Sequence, residues 1–311
     1  MHEKVTYFAP ATAANLAAGF EIFGMALEQP GDRVTALKTI EPGVQLLSIE
    51  GDNGKLPRDA SKNTATVAVS ALLKQLKYTD GIGIHLQKQL PLCSGMGSSA
   101  ASSAAAVAAV NYLLDAGLTA EQLVPFAMEG ERIACGSAHA DNVAPSLIGG
   151  ITLIRSYYPL DIISLPVPDN LYYAVVNPDI LLSTEDSRAR VPQSVTMAHT
   201  ISQTGNAAAF VAALASGDLK LLGRACEDFL AEPYRAELIP GFSLVKQAAL
   251  DSGALGAGLS GSGPSLFALC ADEISARQSV SAMQEVFSQQ GITSHPYSGK
   301  INTRGATCVK D

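Results

Sequence analysis

Apolar residues recur along the chain with two different spacings, and these spacings predict its strands and helices. Alternate apolar positions are typical of strands, and apolar positions three or four residues apart are typical of amphipathic helices. We expect strands at 5–9, 33–38, 44–49, 82–88, 151–155, 161–165, 171–176, 266–270 and 292–297. We expect helices at 63–78, 98–114, 119–134, 195–216, 218–230, 240–252 and 274–290. Pro10 should end the first strand, and 33–38 should pair with 44–49.

The order of these elements indicates the fold class and the number of domains. Helical and strand patterns are mixed rather than strictly alternating, which favours an α+β fold over a doubly wound sheet. A chain of 311 residues suggests one large or two ordinary domains. The second half has strands and helices enough for a sheet of its own. We therefore place a boundary between 155 and 178 and predict domains at 1–165 and 166–311.

A glycine- and serine-rich turn, Pro91–Ser102, runs directly into an alanine-rich helix. Gly95 and Gly97 permit positive φ and a close approach of a ligand to the backbone. The free N–H groups and the dipole at a helix N-terminus attract anions, and Ser98 and Ser99 add hydroxyl groups. The turn therefore predicts a phosphate site, although N-capping alone would also account for both serines.

Two standard nucleotide-binding motifs fit the chain poorly. The P-loop pattern ends in Gly-Lys-Ser/Thr, and this turn contains no lysine. The dinucleotide fingerprint matches twice, at Gly95–Ala100 and at Gly256–Gly261, which shows how weak the pattern is. It also requires an acidic residue at the end of the next strand, whereas Asp115 follows a predicted helix. A nicotinamide or flavin cofactor is therefore disfavoured.

Composition and charge exclude several classes of protein. The chain is 47% hydrophobic, which allows a sizeable core, and its net charge of −8 without a basic run argues against a nucleic-acid binder. The five cysteines form no CxxC pair, which favours a reduced, cytoplasmic setting without a zinc knuckle. The uncharged stretch 89–114 is long enough to span a bilayer, but Pro91, Asn111 and its serines argue against a membrane helix.

Polar residues in two other stretches are candidates for ligand contacts. Asn15 and Glu21 are the only strongly polar side chains of an otherwise apolar segment near the N-terminus. A ligand contact and a solvated loop edge are both open for them. His139, Asp141 and Asn142 lie within four residues, which is a high density of reactive side chains. For Asp141 or Asn142 the alternative is a simple cap of a short helix.

Three stretches, in their order and spacing, resemble the motifs of the GHMP kinase superfamily, named for galactose, homoserine, mevalonate and phosphomevalonate kinases. They are Pro10–Glu21, Pro91–Ser102 and Gly256–Ser265. The similarity to the homoserine kinase family within it rests on His139–Pro145, Ser183–Arg188, Pro192, Glu232–Arg235 and Pro240–Phe242. The resemblance covers nearly the whole chain. It implies a two-domain GHMP kinase fold, with a left-handed βαβ crossover in the N-terminal domain and a ferredoxin-like C-terminal domain.

The resemblance also implies the ligands and the residues that hold them. ATP and Mg²⁺ are the implied cofactors, and Mg²⁺ would lie on Ser98 and Glu131. The residues implied for ATP are Asn63, Pro91, Leu92, Cys93, Ser94, Gly95, Met96, Gly97, Ser98, Ser99, Ala100 and Ala101. The residues implied for homoserine are Asn15, Glu21, His139, Thr184, Arg188, Arg235 and Gly261. Arginine suits the α-carboxylate because it can bind it through two hydrogen bonds, and an acid suits the α-ammonium.

The implied reaction moves the γ-phosphoryl group of ATP to the side-chain hydroxyl of L-homoserine, a step of threonine biosynthesis. Asp141 is the candidate general base. Asn142 could instead orient the hydroxyl without taking its proton, and we favour this base-free version. The family usually has aspartate where this chain has Glu21, so the reach of the ammonium contact is open.

Two other functions are compatible with these motifs: another small-molecule kinase of the same superfamily, and a non-catalytic nucleotide-binding relative. Arg188, Arg235 and His139 argue for an amino-acid substrate. The intact turn, together with Glu131 and Asp141, argues for catalysis. The resemblance implies a homodimer, and we expect no nucleic-acid or membrane partner.

Overall fold

Two β-sheets form the framework of the protein. The structure is a computed structural model, and it describes residues 3–136 and 138–310, apart from the side chains of Ala134 and Cys135. The strands are β1 Lys4–Ala14, β2 Phe23–Thr39, β3 Gly43–Glu50, β4 Gly81–Gln87, β5 Ile151–Tyr157, β6 Leu160–Leu165, β7 Tyr172–Pro178, β8 Gly256–Leu259, β9 Leu266–Cys270, β10 Ser294–Lys300 and β11 Thr307–Cys308. The helices are α1 Thr64–Leu76, α2 Ser98–Leu113, α3 Ala120–Cys135, α4 Val143–Ile148, α5 Thr184–Ala189, α6 Met197–Ser216, α7 Leu219–Ala225, α8 Glu232–Arg235, α9 Phe242–Asp251 and α10 Glu273–Gln289.

The first sheet has the order β11-β1-β2-β4-β3, and β5 pairs with both β2 and β6. Its pairs are antiparallel except for β3 and β4, which are parallel. Parallel neighbours need a crossover connection, and α1 supplies it between β3 and β4. This is the βαβ unit of the N-terminal half, and its left-handed course stays a prediction.

The second sheet is antiparallel and has the order β10-β7-β9-β8. Its elements follow along the chain as β7, α9, β8, β9, α10 and β10, with α5–α8 inserted after β7. This is the β-α-β-β-α-β order of a ferredoxin-like domain. The expected α+β class with a ferredoxin-like second half is therefore confirmed.

The chain passes from the first sheet to the second between Leu165 and Tyr172. Its last strand then returns to the first sheet, because β11 pairs with β1. The first sheet thus contains segments from near both ends of the chain. The division into 1–165 and 166–311 stays a prediction.

The alanine-rich helix α2 lies at the centre of the first half. It contacts α1, α3, β1 and β2, and most of its residues are buried. Small side chains let these neighbours approach its backbone at the density of a protein interior. A helix buried on all sides has no amphipathic pattern, which accounts for its run of alanines. Within residues 3–136 and 138–310, no helix has the length and apolar character needed to cross a membrane.

An aromatic-rich core joins the two sheets. Phe23 of β2 stacks on Phe210 of α6, with ring centroids 4.9 Å apart. Tyr173 of β7 and Phe267 of β9 belong to the same buried cluster. Burying each side chain of this size stabilises the fold by about 1.5–3 kcal/mol. The core therefore holds the second sheet firmly against β1 and β2, and residues of both halves can form one site.

The first strand differs from the sequence expectation. β1 continues through Pro10 to Ala14, and its pairing with β2 shifts register between Pro10 and Thr12. Proline has no N–H to donate to a neighbouring strand, and such an irregularity accommodates it. The expectation that Pro10 ends the first strand is therefore wrong.

The expected pairing of 33–38 with 44–49 is wrong, because β4 lies between β2 and β3. Alternating apolar residues identify a strand but not the strand with which it pairs. Here β2 and β3 both pair with β4, which follows α1 in the chain. The helix expected at 218–230 ends at Ala225, where Cys226 takes a non-helical backbone. The strand expected at 33–38 is only the last part of β2, which already begins at Phe23. The other expected helices and strands are confirmed to within a few residues at their ends.

Candidate active site

A cavity of about 710 Å³ opens beside the Gly-Ser turn, and most residues implied from the sequence line it. They are Asn15, Glu21, Pro91, Leu92, Cys93, Ser94, Gly95, Gly97, Ser98, Ser99, Glu131, His139, Asp141, Asn142, Thr184, Arg188, Arg235 and Gly261. Asn15 and Gly261, although 246 residues apart in sequence, are joined by a hydrogen bond. The fold thus brings three distant motifs to one cavity.

Four residues implied for ATP lie outside the cavity lining: Asn63, Met96, Ala100 and Ala101. Asn63 is the buried N-cap of α1, where its Oδ1 accepts the N–H of Ala65 (3.1 Å) and its Nδ2 donates to the Pro57 carbonyl (3.3 Å). The side chains of the other three are fully buried in the core. Their side chains do not face the cavity, and the implied place of these four residues in the ATP site stays a prediction.

The Gly-Ser turn has the backbone that an anion site needs. Gly95 and Gly97 adopt positive φ, at 74° and 63°. Gly97 is the N-cap of α2 and makes no side-chain cap, so the first N–H groups of the helix can meet a ligand. The alternative interpretation of Ser98 and Ser99 as N-caps is wrong, since both lie inside the first turn of α2. A Cβ at Gly97 would lie 2.1 Å from Thr12 Oγ1, so space also requires glycine here.

A buried ion pair lies beneath the turn. Lys88 Nζ contacts Asp32 Oδ2 and donates to both the carbonyl oxygen and the Oγ of Ser98, each at 2.8 Å. Asp32 Oδ1 accepts the N–H groups of Gln89 (3.0 Å) and Leu90 (3.3 Å). The pair therefore joins the end of β4 to the first turn of α2. Sequence reasoning missed it, and the only signal was that Lys88 is the last charge before the uncharged stretch.

Glu131 of α3 is a buried carboxyl group in the cavity wall. Its Oε1 has no hydrogen-bond partner among the described residues. Burial raises the pKa of Glu131, although the Ser99 hydroxyl and nearby cationic groups act in the opposite direction. An unpartnered buried oxygen beside a phosphate site fits a divalent cation, which prefers oxygen ligands. The described chain holds no cluster of three or more His, Cys, Asp or Glu side chains that could hold a metal ion.

Glu21 and Asn15 form the wall of the cavity next to the third motif. Asn15 Oδ1 accepts the N–H of Glu21 (3.0 Å), and Asn15 Nδ2 donates to the Gly261 carbonyl (3.1 Å). The Glu21 carboxylate contacts His139 Nδ1 and lies 3.9 Å from Arg188 Nη2. Burial alone would raise the pKa of Glu21, but His139 and the nearby arginines outweigh it and lower that pKa. Glu21 is therefore an anion at neutral pH.

Arg235 of α8 is only 2% exposed. Its Nε donates to the Ser187 carbonyl and its Nη1 to the Gly261 carbonyl, both at 3.1 Å. Its guanidinium carbon lies 5.4 Å from the ring centre of Phe20, within the range of a cation–π contact. These contacts fix the guanidinium plane and leave Nη2 for a ligand in the cavity.

Asp141 and Asn142 lie at the start of α4. Asn142 Oδ1 accepts a hydrogen bond from Thr12 Oγ1 (2.6 Å), so its Nδ2 can donate toward the cavity. The backbone N–H of Asn142 donates to Asp141 Oδ1 (3.0 Å). Burial, together with the negative charge of Glu21, raises the pKa of Asp141 to about 7. Asp141 is therefore close to the midpoint of its titration at neutral pH.

The cavity extends beyond the residues that the sequence indicated. The additional lining residues come from the loop after β3, the start of α1, the ends of β4 and β7, and the third motif. They are Gly51, Asp52, Asn53, Lys55, Leu56, Thr64, Lys88, Leu90, Ser102, Asp179, Leu181 and Ser262. Ser102, in α2, and Ser262 belong to the second and third motifs, whereas only the fold identifies the others.

Family models match both halves of the chain. The model of the GHMP kinases N terminal domain matches residues 63–150, and that of the GHMP kinases C terminal matches residues 210–289. The turn and the His139–Asn142 segment fall within the first match.

Individual relatives match over nearly the full length. A homoserine kinase of Chloroherpeton thalassium is 49% identical, with 92% of each chain covered. One from Chlorobaculum tepidum is 45% identical, with 99% of this chain and 98% of that protein covered. The crystal structure of homoserine kinase from Cytophaga hutchinsonii superposes with a TM-score of 0.97 at 46% identity, covering 99% of this chain and 98% of that one.

Proposed function

The chain belongs to the homoserine kinases of the GHMP kinase superfamily, and we propose that its cavity holds ATP and L-homoserine so that the γ-phosphoryl group passes to the homoserine hydroxyl. The assignment of ligands within the cavity rests on one observation. The N-terminus of α2, which has no side-chain cap, lines the same cavity as Arg188, Arg235 and the Glu21 carboxylate. The helix start suits phosphates, and the cluster suits the two opposite charges of an amino acid.

ATP would lie with its phosphates on the Gly-Ser turn. The N–H groups of Gly95, Gly97, Ser98 and Ser99 are fixed donors, and together with the dipole of α2 they can offset charge on the transferring phosphoryl group. The N–H of Met96 donates to the Ser94 hydroxyl instead (3.3 Å). Lys88 and Asp32 hold this turn from below through the contacts described above. Phosphoryl transfer depends mainly on positioning and charge neutralisation, so a rigid turn contributes directly to the rate.

Homoserine would lie on the wall formed by Glu21, Arg188 and Arg235. Glu21 would receive the α-ammonium, while Arg188 and Arg235 would hold the α-carboxylate by charge-assisted hydrogen bonds. His139 contacts Glu21 and limits where its carboxylate can point. The glutamate in place of the usual aspartate is thereby restrained in spite of its extra methylene group.

Mg²⁺ fits the unpartnered Oε1 of Glu131, with Ser98 as a second candidate ligand. When bound with ATP, the ion would neutralise charge on the phosphate oxygens. The Ser98 Oγ already accepts a hydrogen bond from Lys88, which orients its remaining lone pair.

The acceptor hydroxyl would be oriented by Asn142. Thr12 holds the Oδ1 of Asn142, so the Nδ2 group is the donor that can reach the hydroxyl oxygen. A loose transition state needs little removal of the hydroxyl proton before the new bond forms. We therefore retain the base-free mechanism, in which Asp141 shapes the site without serving as an obligatory base.

Glu131→Gln is expected to raise the Mg²⁺ concentration for half-maximal activity by about tenfold, because a neutral amide replaces a charged oxygen ligand and about 1.4 kcal/mol corresponds to tenfold. The measurement is a magnesium titration at fixed ATP and homoserine. Glu129→Gln is the control, since Glu129 lies on the same helix but is exposed and pairs with Arg132. An unchanged titration in Glu131→Gln would remove this residue from the cation site.

Asp141→Asn is expected to keep turnover within about tenfold of the wild type, because general-base catalysis typically supplies 10²- to 10⁴-fold and the base-free mechanism does not use it. Steady-state kinetics with both substrates measure this. A loss of more than about 100-fold with intact binding of ATP and homoserine would identify Asp141 as the base.

The same variant should change the pH dependence of stability. The pKa of Asp141 is about 7 in the folded protein and 3.8 for an unperturbed aspartate, so the folded state binds the extra proton between these values. Its contribution to stability is therefore present at low pH and is lost as pH rises through 7. Between about pH 5 and about pH 8, the wild type should lose more thermal stability than Asp141→Asn.

A panel of alcohols tests the substrate assignment. ADP release is measured with L-homoserine, mevalonate, galactose and other hydroxyl compounds under identical conditions. We expect L-homoserine to be preferred. Preference for another alcohol would favour a different GHMP kinase activity, and ATP binding without ADP release would favour a non-catalytic relative.

A cytoplasmic location is part of this proposal. Cys93, Cys226, Cys270 and Cys308, whose side chains the structure describes, are free thiols, as expected in a reducing compartment. The homodimer implied by the resemblance stays a prediction, which light scattering in solution would measure.

A further inference from the structure

We infer that Tyr157 is a positioning residue for the amino-acid half of the site, because its hydroxyl joins the backbone of Glu21 to the segment that carries His139, Asp141 and Asn142. This inference rests on the proposed function and extends it. Tyr157 is the last residue of β5 and does not line the cavity, so it acts through the residues it holds.

The Tyr157 hydroxyl makes two hydrogen bonds to backbone groups of different motifs. It donates to the Glu21 carbonyl (2.9 Å) and accepts the N–H of Ala140 (3.4 Å). Glu21 lies 136 residues before Tyr157, and Ala140 lies 17 residues before it. The Tyr157 hydroxyl thus fixes the distance between the backbone of Glu21 and the segment His139–Asn142.

The backbone of Glu21 depends on such support. Its φ of 65° is in the left-handed region, which residues other than glycine rarely adopt and which persists only when the surroundings determine it. Asn15 Oδ1 accepts the Glu21 N–H, and Tyr157 donates to the Glu21 carbonyl. Both polar groups of this strained residue are therefore held by side chains, and the direction of its carboxylate follows from that conformation.

The ring of Tyr157 restrains the side chain of His139. It meets the His139 ring edge-on, with centroids 6.3 Å apart and planes at 77°. His139 in turn contacts the Glu21 carboxylate. Burial raises the pKa of Tyr157, so the phenol stays protonated and keeps its hydrogen to donate.

Tyr173 is a matched control elsewhere in the protein. Its hydroxyl donates to the Gln29 carbonyl (2.9 Å) and accepts the N–H of Gln29 (3.3 Å), so it makes the same two kinds of bond at nearly the same lengths. Tyr173 is buried in the core between the sheets, and neither it nor Gln29 lines the cavity. Replacing each tyrosine by phenylalanine removes one hydroxyl and keeps the ring.

The test compares steady-state kinetics of Tyr157→Phe and Tyr173→Phe with those of the wild type. For Tyr157→Phe we expect the homoserine KM to rise about three- to tenfold, the size of effect of one lost hydrogen bond. The ATP KM should stay within about twofold, because the turn that holds the phosphates has no contact with Tyr157. Tyr173→Phe should leave both KM values unchanged while lowering Tm.

Each other outcome overturns the inference. Equal changes in both KM values, equal changes in both variants, or no change in Tyr157→Phe would show that the hydroxyl does not position the homoserine site. If Tyr157→Phe alone failed to fold, its thermal unfolding transition would be lost, and the Tm rise that ATP produces would be lost with it. That result would make the hydroxyl structural. Failure of the wild type itself to phosphorylate homoserine would instead refute the proposed function, so the two failures are distinguishable.

Discussion

Asp32→Asn is expected to lower the free energy of unfolding by about 3–5 kcal/mol, because removing one partner of a buried ion pair leaves an uncompensated charge. The side chains of Asp32 and Lys88 are 0% and 2% exposed, so water cannot replace the lost partner. Asparagine keeps the shape, and its Oδ1 can still accept the N–H groups of Gln89 and Leu90. Its Nδ2 would then replace Oδ2, which contacts Lys88 Nζ and accepts the Ser102 hydroxyl (2.7 Å), so the charge and these two contacts are lost together. Chemical denaturation measures the change.

The Arg155–Asp161 pair supplies the control for this prediction. Its side chains are 60% and 37% exposed, and an exposed pair contributes about 0–1 kcal/mol. Asp161→Asn should therefore change stability by less than about 1 kcal/mol. Equal effects of the two substitutions would show that the pair beneath the turn does not stabilise the fold. Because that pair holds the turn, Asp32→Asn should also raise the ATP KM more than the homoserine KM.

Arg235→Leu is expected to raise the homoserine KM about 10- to 100-fold, since losing a charge-assisted hydrogen bond costs about 1.5–3 kcal/mol. The ATP KM should change far less, because Arg235 lies on the amino-acid wall and not on the turn. Steady-state kinetics with each substrate varied in turn measure the two effects.

Arg235→Lys separates charge from geometry. Lysine keeps the positive charge but cannot reproduce the fixed guanidinium plane that bonds to the Ser187 and Gly261 carbonyls. We expect its homoserine KM to lie between those of the wild type and Arg235→Leu. If Arg235→Leu raised both KM values equally, the carboxylate role of Arg235 would be lost.

Local features of this fold could be predicted from the sequence because their determinants lie within a few residues. Gly95 and Gly97 adopt the positive φ expected of them. The alanine run that follows forms a buried helix, and alternating segments form strands at the expected places. In each case the backbone preference or the spacing of apolar residues is sufficient on its own.

Long-range pairing accounts for what the sequence could not predict. Asp32 and Lys88 are 56 residues apart, and nothing near either residue indicates the other. β4 separates two strands that look like a hairpin pair. Asn63 matches a family position by sequence, yet its side chain is used to cap α1. Tyr157 ends a strand that was expected from 151 to 155, and its two backbone partners become visible only in the fold.

The candidate site also has local features, which the sequence predicts, and long-range contacts, which only the structure shows. The motifs identified most lining residues, since each motif is a short local segment. The orientation of those residues depends on contacts between motifs, such as the bond from Thr12 to Asn142 and the bond from Asn15 to Gly261. The sequence therefore predicted most of the residues that line the cavity, and the structure shows the contacts that hold them in place.

Phosphorus NMR of the complete reaction tests directly whether the protein transfers the γ-phosphoryl group of ATP to L-homoserine. Wild-type protein is incubated with ATP, Mg²⁺ and L-homoserine, and the phosphorus products are identified against authentic standards. We expect O-phospho-L-homoserine to appear in equal amount with ADP, and neither to form rapidly when homoserine is omitted. Inorganic phosphate in place of the phosphate ester, or no consumption of ATP at all, would contradict it.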